Sequence, residues 1–259
     1  CFCCGFYRGW PSDMIRMENV HKSFGELSVL RGLNLKIPDR ETVVVMGKSG
    51  CGKSVTLKLI LRLIHQDEGR IYIDGEDTTE FSEKDMLGIR RRIGMLFQGA
   101  ALFDSMNVWQ NLAYPLVEHT EMAEEVIDQK ISEMLSFVNL SGVQSKLPSE
   151  LSGGMKKRVA LARAMIVQPE YVFFDEPTTG LDPVTSGMIN ELIIRTREKF
   201  GVTSVVVTHD LASAMRIGTR FAFIDDGRII FSGDREEMRK SDAKPLREFL
   251  KDATWQNRS

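Results

Sequence analysis

Apolar and polar positions follow two different rhythms in the first quarter of the chain. They alternate along residues 15–24 (IRMENVHKSF) and again along residues 27–38 (LSVLRGLNLKIP), which is typical of half-buried antiparallel strands. Residues 42–46 (TVVVM) instead form a nearly continuous apolar run, and residues 52–64 follow with apolar positions at helical spacing. The pattern predicts a β-rich first segment, then a buried strand, a glycine-rich loop and a helix.

A helical segment interrupts this pattern in the middle of the chain. Residues 105–168 carry helical patterns at 123–137 and 154–167 and almost no strand signal. We therefore expect an inserted helical subdomain at about residues 100–168. Before it, the pattern predicts a short strand at residues 70–74, a charged amphipathic helix at 82–91 and a second short strand at 93–97.

Strands and helices alternate after the helical segment, which predicts a mostly parallel sheet with right-handed crossovers. We expect an α/β fold with a single domain over residues 14–250. A polar tail at 251–259 follows, in which Trp255 either braces a contact or belongs to a disordered end. The predicted strands are YVFFDEP, TSVVVTHD and residues 221–224 and 228–231, and the predicted helices are residues 183–200, 211–217 and a last one beginning at 244.

Charge and apolar content limit the classes of function. Among 259 residues, 34 Lys and Arg stand against 36 Asp and Glu, a net charge of −2. The chain thus lacks the basic surface that binding to a nucleic-acid backbone requires. No apolar run reaches the roughly 18 to 20 residues of a membrane-spanning helix. We expect no nucleic-acid partner, and we expect any membrane role to come through a partner protein.

The four cysteines do not form a disulfide framework. Cys1, Cys3 and Cys4 crowd the first residues, whereas Cys51 stands alone in a glycine-rich loop. We interpret residues 1–13 as an unstructured extension or a misplaced start, with a metal or lipid-anchor segment as the alternative.

The glycine-rich loop has the pattern of a phosphate-binding loop. The segment Gly47-Lys48-Ser49-Gly50-Cys51-Gly52-Lys53-Ser54 fits G-x-x-x-x-G-K-[ST] between the predicted strand and helix. Backbone N–H groups and the helix N-terminus of such a loop bind phosphate oxygens. We expect Lys53 to bridge the β- and γ-phosphates of ATP and Ser54 to ligate Mg²⁺. Val55 completes the nucleotide-binding segment, and Cys51 is interpreted as a small loop residue.

A second acidic site is predicted where an apolar strand ends. YVFFDEP places Asp175 and Glu176 directly after four apolar residues. Asp175 is expected to hold Mg²⁺ through water, and Glu176 to act as the general base toward the attacking water. The alternative, an acidic pair that ends a strand at the surface, does not account for the phosphate loop. Together the two sites predict a P-loop NTPase core.

The segment Leu151-Ser152-Gly153-Gly154-Met155 opens a predicted helix with small residues, so its free N–H groups can form a second anion site. It resembles the signature motif of ATP-binding cassette (ABC) ATPases. In that family this helix end completes the site of the opposite protomer, which implies a head-to-tail homodimer with two ATP molecules between the chains. Met155 stands where the family commonly has Gln. Because Ser152 and the glycine N–H groups bind the phosphate, we expect hydrolysis to survive this change.

Further markers of the family follow in the expected order over residues 15–249. The resemblance implies that Gln98 senses Mg²⁺ and couples to the membrane subunit, and that Asp182 lies at the dimer contact. It also implies that His209 contacts the γ-phosphate, although a lone histidine after a strand can be a capping or packed residue. Phe24 stands where the family usually stacks a tyrosine on adenine, with a place in the strand core as the alternative. The predicted catalytic residues are Glu176, His209, Gln98 and Lys53, and the predicted Mg²⁺ ligands are Ser54, Gln98 and Asp175.

Within the family, FQGAALFDSMNVWQNLAYPLVEHT and LSGGMKKRVALARA resemble the ATPases of Mla-type and Mce-type lipid transporters. The resemblance implies a phospholipid or related lipid as cargo, integral membrane permease subunits, a lipid-binding Mce-domain protein and, in some members, a STAS-domain subunit. It implies a peripheral location on the cytoplasmic face of the inner (plasma) membrane. An apolar stretch after Gln98 is expected to dock the permease or, alternatively, to pack the helical subdomain; it comprises Ala100, Ala101, Leu102, Phe103, Met106 and Val108.

Three other functions remain as alternatives. An ABC importer of amino acids, metals or anions keeps the chemistry and changes the cargo. A cassette protein of DNA repair or the ribosome is disfavoured because neither heptads nor a second phosphate loop occur. An inactive scaffold is disfavoured because Lys53, Asp175, Glu176 and His209 are all present.

Overall fold

The computed structural model of the protein describes the backbone of residues 13–256 and the side chains of residues 14–251. The predictions for residues 1–12 and for the Trp255 side chain fall outside this part. Within it lie ten strands: β1 (Asp13–Phe24), β2 (Leu27–Pro38), β3 (Thr42–Met46), β4 (Glu68–Ile73), β5 (Glu76–Asp77), β6 (Ile93–Leu96), β7 (Tyr171–Asp175), β8 (Thr203–Thr208), β9 (Arg220–Asp225) and β10 (Arg228–Gly233).

The same part of the chain contains nine α-helices. They are α1 (Lys53–Ile60), α2 (Glu83–Arg91), α3 (Val108–His119), α4 (Glu124–Phe137), α5 (Gly153–Met165), α6 (Pro183–Phe200), α7 (Leu211–Ile217), α8 (Arg235–Lys240) and α9 (Lys244–Gln256). No helix among the described residues is both long and apolar enough to span a bilayer.

Two sheets carry the fold, and they confirm the predicted α/β class. The larger sheet has the order β10-β9-β3-β8-β7-β6, in which β10 is antiparallel to β9 and the other neighbours are parallel. The smaller sheet is antiparallel, with the order β2-β1-β4-β5. Between β6 and β7 the chain forms α3, α4, a short 3₁₀ helix at Pro148–Glu150 and α5. The domain boundaries given above stay a prediction.

Strand β3 lies inside the larger sheet, and its alternating side chains belong to two cores. Val44 and Met46 pack with α6, α7 and the helices between β6 and β7. Val43 and Val45 pack with α1 and the antiparallel sheet. These four side chains are at most 2% exposed. Burial of each such aliphatic side chain contributes about 1.5 to 3 kcal/mol, and burial on both faces explains the uninterrupted apolar run.

The register of the parallel strands brings their carboxyl ends to one edge of the sheet. Met46 of β3 lies opposite Thr208 of β8, and Asp175 of β7 lies opposite Val207. Three loops therefore leave the sheet side by side: the phosphate loop after β3, the loop after β7 that contains Glu176 (the acidic loop) and the loop after β8 that carries His209. The loop that follows β6 and contains Gln98 lies next to them. Ligand sites of open α/β sheets lie at this edge.

Helices α1, α3 and α8 differ from the prediction, and α8 (Arg235–Lys240) had no predicted counterpart. The first helix ends at Ile60 instead of residue 64, where Arg62 takes a left-handed backbone with a φ of 51°. Helix α3 was not predicted, because Pro115 lies inside it and proline is a poor residue for a helix interior. Its start did carry a signal: Asn107 and Gln110 form a capping box.

Candidate functional site

The phosphate loop keeps its shape because two of its glycines have no room for a side chain. A Cβ on Gly47 would lie 2.5 Å from the carbonyl oxygen of Ile224 and 2.6 Å from Cys51 Sγ. Gly52, the residue that caps α1, has a φ of 105°, and a Cβ there would lie 2.6 Å from Leu30 Cδ2. The loop thus turns tightly into α1, whose first N–H groups remain available for an anion.

Lys53 is held within this loop. Its side chain is 93% buried, and Nζ donates to the carbonyl oxygens of Gly47 (2.9 Å) and Lys48 (3.1 Å). The same ammonium group lies 3.9 Å from Glu176 Oε1. A cation in this position joins the phosphate loop to the acidic loop and can reach a phosphate oxygen in the cavity between them.

Ser54 and Asp175 are direct neighbours across the sheet edge. Ser54 Oγ donates to Asp175 Oδ1 at 2.7 Å. A hydroxyl and a single carboxylate fit Mg²⁺, which takes hard oxygen ligands and keeps several waters or phosphate oxygens in its shell. Among the described residues no cluster of three His, Cys, Asp or Glu suits a metal held by protein alone.

Glu176 is buried and fixed from several sides. Its side chain accepts hydrogen bonds from Thr179 Oγ1 (2.9 Å) and Thr208 Oγ1 (3.3 Å), and only 8% of the residue is exposed. The backbone has a left-handed φ of 48°, an unfavourable conformation for a residue with a Cβ. His209 Nδ1 lies 2.9 Å from Oε2, and about half of the histidine side chain is exposed.

These residues surround one cavity of about 430 Å³. Of the predicted site residues, it is lined by Phe24, Ser49, Gly50, Gly52, Lys53, Ser54, Val55, Gln98, Glu176 and His209, and Val29 also contributes. Phe24 lies at the rim and is 48% exposed, which excludes its alternative assignment to the strand core. Lys22 Nζ stands 5.5 Å from the Phe24 ring centroid and is held by Asp67 at 2.7 Å.

Comparison with known proteins identifies the family of this chain. A family model described as ABC transporter matches residues 30–179. The chain belongs to the ABC transporter family. It is an ATP-binding cassette, and its sequence and fold agree with solved members of that family.

Several curated proteins are similar to this cassette over most of its length. It is 38% identical to the intermembrane phospholipid transport system ATP-binding protein MlaF of Haemophilus influenzae, over 92% of this chain and 90% of that one. It is 39% identical to the probable ribonucleotide transport ATP-binding protein mkl of Mycobacterium tuberculosis, over 93% of this chain and 68% of that one. The chloroplastic protein TRIGALACTOSYLDIACYLGLYCEROL 3 of Arabidopsis thaliana is 38% identical, over 93% and 75%.

Two solved cassettes share the fold. A dimeric ATP-binding cassette in a post-hydrolysis state, bound to ADP and Pi, has a TM-score of 0.79 and 34% identity, over 85% of this chain and 98% of that one. The cbiO1 protein of Clostridium perfringens, part of the ABC transporter complex cbiONQ, has a TM-score of 0.80 and 26% identity, over 93% and 98%.

The signature residues of the cassette lie apart from the cavity of their own chain. Ser152 caps α5 by accepting from the Met155 N–H at 3.3 Å. A Cβ on Gly154 would lie 2.3 Å from Thr185 Cγ2, so α5 begins against α6. Asp182 caps α6 by accepting from Thr185 N–H at 3.0 Å and from its hydroxyl, and the hydroxyl lowers the pKa of Asp182. Ser152, Gly153, Gly154 and Asp182 do not line the cavity around Lys53.

Cys51 has an environment that suppresses thiol chemistry. It packs against the core beneath the antiparallel sheet, and burial raises the pKa of its thiol, against the opposing effect of Lys53. The interpretation of Cys51 as a small loop residue agrees with this environment.

Three polar residues of the cassette, two of them buried and one partly buried, were missed in the sequence. Lys157 of α5 is 5% exposed, and Asn111 of α3 is fully buried. Arg163, also on α5, donates to the carbonyl oxygen of Ala101 at 2.8 Å and to Asn111 Oδ1 at 3.3 Å. Lys157 stands in a run of basic residues that resembles a solvated face, whereas Asn111 and Arg163 are polar residues in mainly apolar stretches. No local pattern shows the contacts that these side chains make.

Proposed function

We propose that this ABC cassette hydrolyses ATP with Glu176 as general base and so drives a membrane transporter. The observation that carries the proposal is the convergence of Lys53, Glu176 and His209 around the cavity behind the phosphate loop. A solved relative in a post-hydrolysis state, bound to ADP and Pi, supports it.

Each residue has a role that follows from its position. The N–H groups of the phosphate loop and Lys53 bind the β- and γ-phosphates, and Phe24 stacks on the adenine ring. Ser54, Asp175 and Gln98 would hold Mg²⁺, which neutralises phosphate charge when bound. Glu176 accepts a proton from the attacking water, and His209 orients the carboxylate and contacts the γ-phosphate.

A second copy of the chain completes the site. Ser152, Gly153 and Gly154 present N–H groups at the start of α5, away from the cavity of their own chain, and Asp182 lies beside them. In a head-to-tail homodimer these groups would contact the γ-phosphate held by the other protomer. The dimeric solved relatives support this arrangement.

We propose a phospholipid or related lipid as the cargo. The name of the Haemophilus influenzae relative refers to phospholipid transport, and the name of the Arabidopsis thaliana relative refers to a galactolipid. A third relative is named for ribonucleotide transport, which makes a small-solute importer the competing assignment. The resemblance of residues 97–120 to the lipid branch favours the first choice.

The permease is expected to dock beside the segment that follows Gln98. A groove of about 400 Å³ lies there and contains Phe103 and Tyr114, whose rings meet edge to face at 5.2 Å. Asn111 shapes its wall by donating to the carbonyl oxygens of Phe103 and Met106, at 3.1 and 2.9 Å. Arg90, Arg91 and Arg163 also line the groove. A groove with both apolar and basic side chains and a formed wall suits a helix end of a membrane subunit.

Further partners follow from the lipid assignment. The cassette would lie on the cytoplasmic face of the inner membrane, held by permease subunits that bind a lipid-carrying Mce-domain protein. Val117 of α3 and Val126 of α4 are 62% and 45% exposed, and Met122, between the two helices in the chain, is also exposed. These exposed apolar side chains support a STAS-domain subunit on the helical subdomain.

The test is purification of the tagged chain from its native membranes in mild detergent, with mass spectrometry of proteins and lipids and an assay of ATP turnover. A permease with bound phospholipid and measurable turnover is the expected result. A small-solute permease would overturn the cargo and leave the ATPase intact. A complex that binds ATP without hydrolysing it would overturn the enzymatic proposal.

A further inference from the structure

Lys157 is a buried cation whose contacts join three parts of the cassette. It lies on α5, one turn after the signature residues, and only 5% of it is exposed. Its Nζ donates to the carbonyl oxygen of Gln98 at 2.5 Å and to that of Glu176 at 3.4 Å. One ammonium group therefore contacts the backbone of the loop after β6 and of the loop after β7.

The contact with Glu176 acts on a residue whose backbone needs support. Glu176 has a left-handed φ of 48°, and its N–H donates to the carbonyl oxygen of Val207 at 2.9 Å. Val207 holds the peptide unit before Glu176, and Lys157 holds the peptide unit after it. Since the orientation of a side chain depends on its backbone, these two contacts help to set where the carboxylate points.

The two carbonyl oxygens that face Lys157 Nζ, at 2.5 and 3.4 Å, are acceptors suited to a charged donor. Charged donors make the stronger hydrogen bonds to carbonyl oxygens. The site therefore suits an ammonium group, while a neutral side chain of the same length would leave two carbonyl oxygens without this donor.

We propose that Lys157 is a positioning residue for ATP hydrolysis, which fixes the backbones of Gln98 and Glu176 relative to the signature helix. The proposal rests on the proposed ATPase function. It predicts that loss of the ammonium group slows turnover and leaves ATP binding nearly intact. The reason is that the two hydrogen bonds of Lys157 go to Gln98 and Glu176 and not to the phosphate loop or Lys53.

The neighbouring residue Arg158 offers a matched control. It is also partly buried on α5, burial also lowers its pKa, and it donates to backbone carbonyl oxygens. Its acceptors are Asn139, at 2.9 Å, and Val138, at 3.4 Å, and both belong to the helical segment. Loss of Arg158 removes a comparable cation-to-carbonyl contact that does not involve Gln98 or Glu176.

The experiment compares wild type, Lys157→Met, Lys157→Arg and Arg158→Met in the full chain with ATP and Mg²⁺. The measurements are kcat, KM, the ATP dissociation constant and the unfolding temperature. We expect kcat of Lys157→Met to fall about tenfold or more, with KM and the dissociation constant within about threefold. Lys157→Arg is expected to retain more kcat than Lys157→Met, and Arg158→Met to keep wild-type kcat.

Three results would overturn the positioning role. They are an unchanged kcat in Lys157→Met, a kcat in Lys157→Arg as low as in Lys157→Met, and an equal loss of kcat in Arg158→Met at a similar fall in unfolding temperature. Absence of turnover in the wild-type protein is distinguishable from all three, because it contradicts the proposed ATPase function itself.

Discussion

His209 Nδ1 lies 3.0 Å from Glu176 Oε1 and 2.9 Å from Glu176 Oε2, so the imidazole faces both oxygens of the carboxylate. The two residues follow neighbouring strands, β7 and β8, and Thr208 adds a hydroxyl contact to Oε2 at 3.3 Å. A carboxylate held in this way has little freedom to turn away from a water molecule at the γ-phosphate.

Replacement of Glu176 by Gln is expected to stop turnover while ATP still binds. The amide keeps the size of the side chain but cannot accept the proton of the attacking water, so kcat should fall by about a hundredfold or more. Turnover assays and ATP titration measure the two effects, and size-exclusion chromatography with ATP should show the dimer. Wild-type turnover in Glu176→Gln would remove the assignment of Glu176 as the base.

Replacement of His209 by Ala should lower kcat more than it weakens ATP binding. The change removes the contact with Glu176 and leaves the phosphate loop untouched, so we expect a loss of about tenfold or more in kcat. The matched control is His65→Ala, since His65 lies after α1 and outside the cavity. A rise in KM at constant kcat would instead assign His209 to ground-state binding.

Replacement of Lys53 by Ala should weaken nucleotide binding itself. Lys53 Nζ has two carbonyl contacts in the loop and stands beside the cavity. A charged hydrogen bond to phosphate contributes about 1.5 to 3 kcal/mol, so the dissociation constant should rise about tenfold or more. Equilibrium titration with ATP measures it. Lys58→Ala, on the exposed side of α1, should bind as wild type does.

The Cys51 thiol is expected to react slowly with alkylating reagents near neutral pH. Burial raises its pKa, and only the thiolate is the nucleophile. The reactive fraction is therefore smaller than for an ordinary cysteine, and the rate should still be rising above pH 9. Peptide-resolved mass spectrometry with iodoacetamide, in native and denatured protein, separates Cys51 from the other cysteines. Equal rates in both states would contradict the burial.

Replacement of Asn111 by Ala should destabilise the fold. The side chain is fully buried, accepts from Phe103 N–H at 2.9 Å and donates to several carbonyl oxygens. Its loss leaves buried polar groups without partners, which costs about 2 to 3 kcal/mol. Urea denaturation measures the change. Gln129→Ala, at an exposed position of α4 with a hydrogen bond to Glu133, should change stability by less than about 0.5 kcal/mol.

The parts of the fold that follow local rules were predictable from the sequence. The apolar run of β3, the turn into α1 and the strand before Asp175 all carry their own chemical signals, and α6 was predicted with its observed bounds, Pro183–Phe200. Asp182 and Pro183 explain that success, because an N-cap followed by proline marks a helix start.

The residues that were missed depend on contacts between distant parts of the chain. Lys157 stands in a run of three basic residues, and only the meeting of α5 with the loops after β6 and β7 shows that it is buried. Asn111 is 52 residues away from its neighbour Arg163 in the chain. Burial of a polar side chain is set by tertiary packing, which helical periodicity does not encode.

The groove wall that Asn111 and Arg163 support affects how selectively the groove binds a partner protein. Ala100 and Ala101 both adopt left-handed backbones, with φ values of 64° and 51°, and Arg163 is bonded to the carbonyl oxygen of Ala101. The conformational entropy of this segment is thus lost during folding rather than when a partner arrives. A surface ordered in this way discriminates by shape. If the proposed permease docks here, we expect one additional bulky side chain on its contact helix to weaken binding.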